Sequence, residues 1–219
     1  MGRLTSEELS QRVVGAYRTN SLSGRARARR WEMFAQRFPQ LSEMHVLDIG
    51  GDIRAWRIAP VRPARLTLLN IAEQEVDETW AVAIVGDACD PPALPEADLV
   101  YSNSVIEHVG GHQRRKEFAA VVRGASPRYW VQTPNRWFPI EPHFMVPGLQ
   151  YLPSGAQATI VRRWPLGNHG NVTEQTQALE DVLDIELLSA AEMQHYFPDG
   201  EIVRERFAGL TKSLISIRT

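Results

Sequence analysis

The sequence predicts an α/β domain: a doubly wound, mostly parallel sheet closed by an antiparallel C-terminal hairpin. Three observations carry that prediction. Short apolar runs recur between residues 46 and 131 with little polar alternation, as strands buried on both faces do. The segments between them are helix-compatible, most clearly His112 to Arg123, and alternation of strand with helix builds a parallel sheet with right-handed connections. The far end does alternate apolar with polar, over Glu201 to Phe207 and Ser213 to Arg218, around a turn containing Gly209. That is the pattern of a hairpin.

In chain order, residues 1–40 read as an N-terminal helical cap. Thr5 or Ser6 ahead of Glu8 suggests an N-cap, and Trp31, Phe34 and Phe38 recur at helical spacing. Arg25, Arg27, Arg29 and Arg30 form a basic cluster there, read first as a solvated helix face. The alternative is that one or two of them meet an anionic group of a ligand. Five strand-like runs follow: Val46 to Ile49, Leu66 to Leu69, Val82 to Val85, Asp98 to Tyr101, and Tyr129 to Val131. Residues 134–180, rich in Pro, Gly, Trp and Arg, read as a substrate-side insertion, because so long a loop in a compact domain is usually functional. Its aromatics and arginines, among them Trp137, Phe144, Tyr151 and Trp164, could cap an acceptor pocket or simply pack the insertion onto the sheet. Ser189 with Glu192 opens a helix through Tyr196, stopped at Pro198-Asp199-Gly200. The whole of 1–219 is expected to be a single domain.

Composition narrows the function classes. A chain with 43% apolar and 23% charged residues can build an ordinary core. A net charge of −2 argues against a nucleic-acid binder, whose footprint would be basic. The single cysteine, Cys89, makes no internal disulfide and fits a reducing compartment. No apolar run approaches the roughly 20 residues of a membrane span, and Met1 to Arg18 lacks the apolar core of a signal peptide. The expectation is a cytoplasmic protein with a small-molecule partner; a homo-oligomer stays open.

Open parallel sheets bind ligands beyond the carboxyl ends of their strands, where strand order reverses. Four of the runs end there in glycine or polar residues: Asp48, Gly50 and Gly51; Asn70; Asp87; Ser102 and Asn103. Glycine lets a ligand approach backbone N–H groups. Asn70 stands where ribose hydroxyls are held in such folds, and Asp87 could accept from an exocyclic amine such as that of adenine.

The segments His45-Val-Leu-Asp-Ile-Gly-Gly51, Val85-Gly-Asp-Ala-Cys-Asp90 and Asp98-Leu-Val-Tyr-Ser-Asn-Ser-Val-Ile-Glu-His-Val109 resemble motifs of the class I S-adenosylmethionine-dependent methyltransferases. Gln132 to Phe144 is similar to a bacterial small-molecule subgroup of that family. The resemblance covers roughly residues 25–145 and the terminal hairpin. It implies a Rossmann-like methyltransferase fold and S-adenosylmethionine as cofactor. It places Asp48, Gly50 and Gly51 at the methionine end, Asn70 with Ile71 at the ribose, Asp87 with Ala88 at the adenine, and Asn103 under the sulfonium. Two stretches depart from the family pattern. Asp52, Ile53 and Arg54 follow Gly51 where further glycine is usual and are expected to crowd the cofactor path. Asn70 stands where a carboxylate is usual and is expected to loosen the grip on the ribose.

The glycine spacing also disfavours a nicotinamide dinucleotide, which wants Gly-x-Gly-x-x-Gly opening a helix for its diphosphate. If the acceptor is a hydroxyl, a base must take its proton. Glu107-His108 directly follows the fourth strand, so His108 is the first candidate, with Glu107 beside it. His143, in Glu141-Pro-His-Phe144, is the second. Some quinone-pathway methyltransferases carry a Glu-x-x-Glu-His metal site at the corresponding stretch. Here Ser104 fills the first position, and no metal is expected. The rival to the enzyme reading is a non-catalytic methyltransferase-like binding or partner protein.

Overall fold

The computed structural model describes residues 22–163 and 174–219. The expected cap at Thr5 or Ser6, and Trp164 in the insertion, lie outside the described residues.

Among the described residues, β1 (His45–Ile49), β2 (Arg65–Asn70), β3 (Ala81–Val85), β4 (Leu99–Asn103) and β5 (Tyr129–Pro134) form the parallel part of one mixed sheet. The hairpin of β8 (Glu201–Phe207) and β9 (Leu210–Arg218) joins antiparallel to β5 through β9. The strand order is β3-β2-β1-β4-β5-β9-β8. Strand order reverses between β1 and β4, which places the crevice at their carboxyl ends.

Side chains of a strand alternate between faces, and the two cores follow that period. Leu47, Ile49, Leu69, Val100, Tyr129 and Val131 pack on one side with Phe118 and Val122 of α3 (His112–Ala125) and Met193 of α6 (Ala190–Tyr196). Val46, Leu66, Leu68 and Trp130 face the other way, onto Phe34 and Phe38 of α1 (Leu22–Arg37) and Trp56 of α2 (Ile53–Arg57). Asp48 shares that second face and is buried in it. An aromatic cluster fastens α1 to the sheet there: Trp31 stacks on Tyr101 at 5.9 Å and meets Trp56 edge-on at 5.2 Å. Aromatic pairs of this kind add about 0.5–1.5 kcal/mol beyond area burial.

The sequence expectations need three amendments. β3 is not buried on both faces, because it forms the sheet edge and leaves Val82 and Val85 exposed. The β2–β3 and β3–β4 connections contain no helix. The second of these is broken by Pro91, Pro92 and Pro95, which cannot donate within a helix. The insertion is not a structureless loop. It contains a small hairpin of β6 (Ile140–Glu141) and β7 (Val146–Pro147), then α4 (Ser154–Val161) and α5 (Gln175–Leu183), with Phe144, Val146, Leu149, Val161 and Val182 as its own apolar core. The capped helix at Ser189 forms as expected, with both halves of its capping box in place.

Candidate active site

The Gly50-Gly51 turn at the end of β1 is the hinge of the site. Gly50 has φ +79°, a left-handed conformation glycine adopts without strain, and a Cβ there would lie 2.3 Å from Val105. A Cβ on Gly51 would fall 1.8 Å from Asp48 Oδ2. Both positions therefore require glycine. Of the three residues expected to crowd the cofactor path, Asp52 borders a cavity beside Gly51 and Ile53 does not. Asp52 caps α2 by accepting from Arg54 N at 2.8 Å and pairs with the Arg54 guanidinium, while Ile53 turns into the core. A diphosphate would find that helix N-terminus already occupied by a carboxylate.

The amide of Asn70 is engaged at both ends. Its Nδ2 donates to the carbonyls of Gly50 (3.3 Å) and Gly51 (3.0 Å), and its Oδ1 accepts from Ala72 N (3.1 Å). A carboxylate could not donate to those carbonyls. Both ends of the amide are thus engaged within the chain, so its first contribution is to hold the turn. Gln74 Nε2 joins it on Gly51 O at 2.7 Å.

Two cavities meet at Gly50. One, of about 320 Å³, is bordered by Asn70, Ile71, Asp87, Ala88 and His108. The other, of about 200 Å³, is bordered by Asp48, Gly51 and Asn103 on the sheet side and by Arg27, Arg30 and Trp31 of α1. The eight residues expected at the cofactor therefore divide between two adjoining cavities that share one glycine.

Their electrostatics differ. In the smaller cavity Asp48 is buried, takes a 2.7 Å hydrogen bond from Trp56 Nε1 on Oδ2, and keeps Oδ1 without a partner. Burial, the largest effect, pushes its carboxyl up to about 7. Asn103 Oδ1 accepts from Arg30 at 2.7 Å, and Arg30 also binds Glu205 at 2.7 Å. The basic cluster therefore divides: Arg27 and Arg30 face the cavity, while Arg29 is exposed. In the larger cavity Asp87 accepts from Cys89 N (2.9 Å) and from Arg114 (2.6 and 2.8 Å), which hold its carboxyl below the usual range.

The three candidate catalytic residues also come together. Ser104, with φ +58°, turns the chain out of β4 and delivers Glu107 and His108. The β6–β7 hairpin brings His143 to within 4.9 Å of the His108 ring, the two rings standing at right angles. Glu107 is fully buried, accepts from Thr133 Oγ1 at 2.9 Å, and leaves Oε1 without a partner; burial raises its carboxyl. Of the three, only His108 borders the larger cavity.

Sequence reasoning missed Trp56, Gln74, Arg114 and Glu141 as supports of these groups. Trp56 carried a readable signal, being an indole eight residues after a buried acid with Gly-Gly between. Arg114 and Gln74 reach their partners only through tertiary folding.

No family model matches the chain, and no curated protein matches it. Solved structures do. The N-methyltransferase NodS from Bradyrhizobium japonicum WM9 aligns over 89% of this chain and 96% of its own, at TM-score 0.53 and 11% identity. The methyltransferase domain of bacterial CtHen1 aligns over 89% and 99%, at 0.56 and 11%. Magnesium protoporphyrin IX methyltransferase (ChlM) from Synechocystis PCC 6803, solved with bound SAH, aligns over 100% and 90%, at 0.53 and 10%. This chain has the methyltransferase fold. It ends in the antiparallel hairpin that the sequence called for, and no described helix is long and apolar enough to cross a membrane.

Proposed function

We propose that the chain transfers a methyl group from S-adenosylmethionine to the hydroxyl oxygen of a small molecule. The observation that carries this reading is the pair of cavities meeting at Gly50, at the carboxyl edge where strand order reverses. Their bordering residues suit the two halves of that cofactor. The larger cavity offers an apolar surface with one carboxylate, Asp87, for the amine edge of adenine. The smaller offers Asp48, with an unpartnered buried oxygen, for the amino group of the methionine end, and the arginines of α1 for its carboxylate. The fold relatives with bound SAH support the same choice.

S-adenosylmethionine, when bound, supplies an electrophilic methyl on a sulfonium centre. What the protein adds is position and proton management. Holding two reactants in line contributes on the order of 7–11 kcal/mol. The Glu107–His108–His143 group lies where the larger cavity meets the insertion and would receive the acceptor's proton, a contribution of roughly 10²–10⁴-fold. His143 is oriented for this: its Nδ1 lies 2.7 Å from Glu141 Oε1, and a carboxylate only accepts, so Nδ1 carries the proton and Nε2 its lone pair.

Isothermal titration of S-adenosylhomocysteine tests the cofactor assignment. One site per chain with a micromolar dissociation constant is expected, weakened at least tenfold in Gly51→Val. A folded sample that gives no heat contradicts it.

A further inference from the structure

We propose that Glu107, His108 and His143 together hold a divalent transition cation of the zinc class. The site itself stands on its own geometry; its part in methyl transfer rests on the proposed function.

One carboxylate oxygen and one ring nitrogen from each histidine lie within 4.8 Å of one another. Ligands bound tetrahedrally at about 2.1 Å stand about 3.4 Å apart, so each group would have to move inward by up to about 0.8 Å to close the site. Each residue shows a separate sign of preparation for this. Glu107 is fully exposed to none of the solvent, yet Oε1 has no hydrogen-bond partner while Oε2 is held by Thr133. A buried carboxylate oxygen left bare destabilises the fold, and a cation would remove that penalty. His143 has its tautomer fixed by Glu141, which leaves Nε2 as the donor atom, and this carboxylate–histidine pairing is how metal-binding imidazoles are commonly oriented. Glu141 is itself immobilised, buried and accepting from Phe144 N through its other oxygen at 2.6 Å. The His108 ring stands perpendicular to that of His143 rather than stacked on it, which lets nitrogens of both converge.

Two imidazoles and one carboxylate favour a borderline cation over magnesium, which prefers oxygen ligands and keeps its waters. Three protein ligands also leave positions open, as catalytic sites do and structural sites do not. An acceptor oxygen taking an open position would bind next to the larger cavity with its pKa lowered. With the ion bound, the hydroxyl would lose its proton to water at the open cavity, and the ion would take over the part proposed above for the histidines, since Nε2 of His143 cannot hold a proton and a cation together. This revises the expectation of no metal. The residue missing at Ser104 is replaced by His143, which comes from the insertion, and sequence spacing alone could not place it.

The test uses full-length protein without a histidine tag, stripped with chelator and dialysed. Zinc chloride is titrated by calorimetry, and cobalt chloride is followed by its visible absorption. The expected result is one ion per chain, with visible bands showing nitrogen coordination. Glu107→Gln and His143→Ala should each weaken binding at least tenfold. Glu141→Gln, which keeps every ligand but loosens His143, should weaken it about 10- to 100-fold. Melting temperature and circular dichroism establish that each variant is folded. Absence of stoichiometric binding by the wild type, or unchanged binding in folded Glu107→Gln and His143→Ala, overturns the site. S-adenosylhomocysteine is titrated in parallel. If it binds while zinc does not, the metal site fails and the methyltransferase reading stands; if zinc binds while it does not, the reverse holds.

Discussion

Replacing Asp48 by asparagine should make the protein more stable at neutral pH, although Asp48 lies in the centre of the site. The carboxyl is buried, and its pKa is raised to about 7 from an ordinary value of 3.8, chiefly by the loss of water around it. It therefore keeps its proton to a higher pH when folded than when unfolded. Stability falls as pH rises from 3.8 to about 7, by about 1.4 kcal/mol per pH unit, and then levels off. Asparagine keeps an oxygen to accept from Trp56 Nε1 and has no charge to desolvate. Between pH 5 and pH 7 the wild type should lose about 2 kcal/mol relative to Asp48→Asn. For a chain of this size that is about 4–8 °C in melting temperature. Thermal melts of both proteins across that pH range measure the difference directly, and other titrating groups cancel between them. Parallel curves would refute the assignment of a strained, buried carboxylate. The same variant should bind S-adenosylhomocysteine more weakly, so stability and affinity move in opposite directions, as they do where a site stores strain for its ligand.

Gly50→Ala should destabilise the protein by at least about 1–2 kcal/mol from its left-handed backbone alone, with more from the contact with Val105; denaturant unfolding measures the loss. Asp87→Asn should weaken S-adenosylhomocysteine binding about 5- to 30-fold, equivalent to about 1–2 kcal/mol, while the melting temperature changes little, because this carboxylate is partly exposed. His108→Ala and His143→Ala should each lower turnover on an identified acceptor by about 10²–10⁴-fold with S-adenosylhomocysteine affinity kept within a fewfold for His143→Ala; single-turnover assays read this.

Much of the fold was legible because it rests on local pattern. The five runs, the capping box at Ser189 and the alternation before and after Gly209 each state their own geometry within a few residues. Where neighbours decide, the pattern was silent. Val82 and Val85 look like buried strand residues in the sequence, and only their place at the sheet edge exposes them. The site shows the same division. Strand ends at Asp48, Asn70, Asp87 and Asn103 could be read as one rim, because topology fixes where carboxyl ends meet. The use each side chain is put to could not. Asn70 borders the larger cavity, and the sequence does not reveal that its amide also holds the turn beside it. Asn103 borders the smaller one, and the sequence does not reveal that its oxygen accepts from Arg30 on a helix 73 residues earlier. The convergence of His143 with Glu107 and His108 depends on how the insertion folds back, which no spacing encodes.

Native mass spectrometry of the freshly purified protein tests the proposed cofactor cradle most directly. The chain should appear with one molecule of S-adenosylmethionine or S-adenosylhomocysteine bound, or acquire one when either is added, and Gly51→Val should not. A folded wild-type chain that stays at its bare mass with either compound in excess would contradict a cofactor cradle at Gly50.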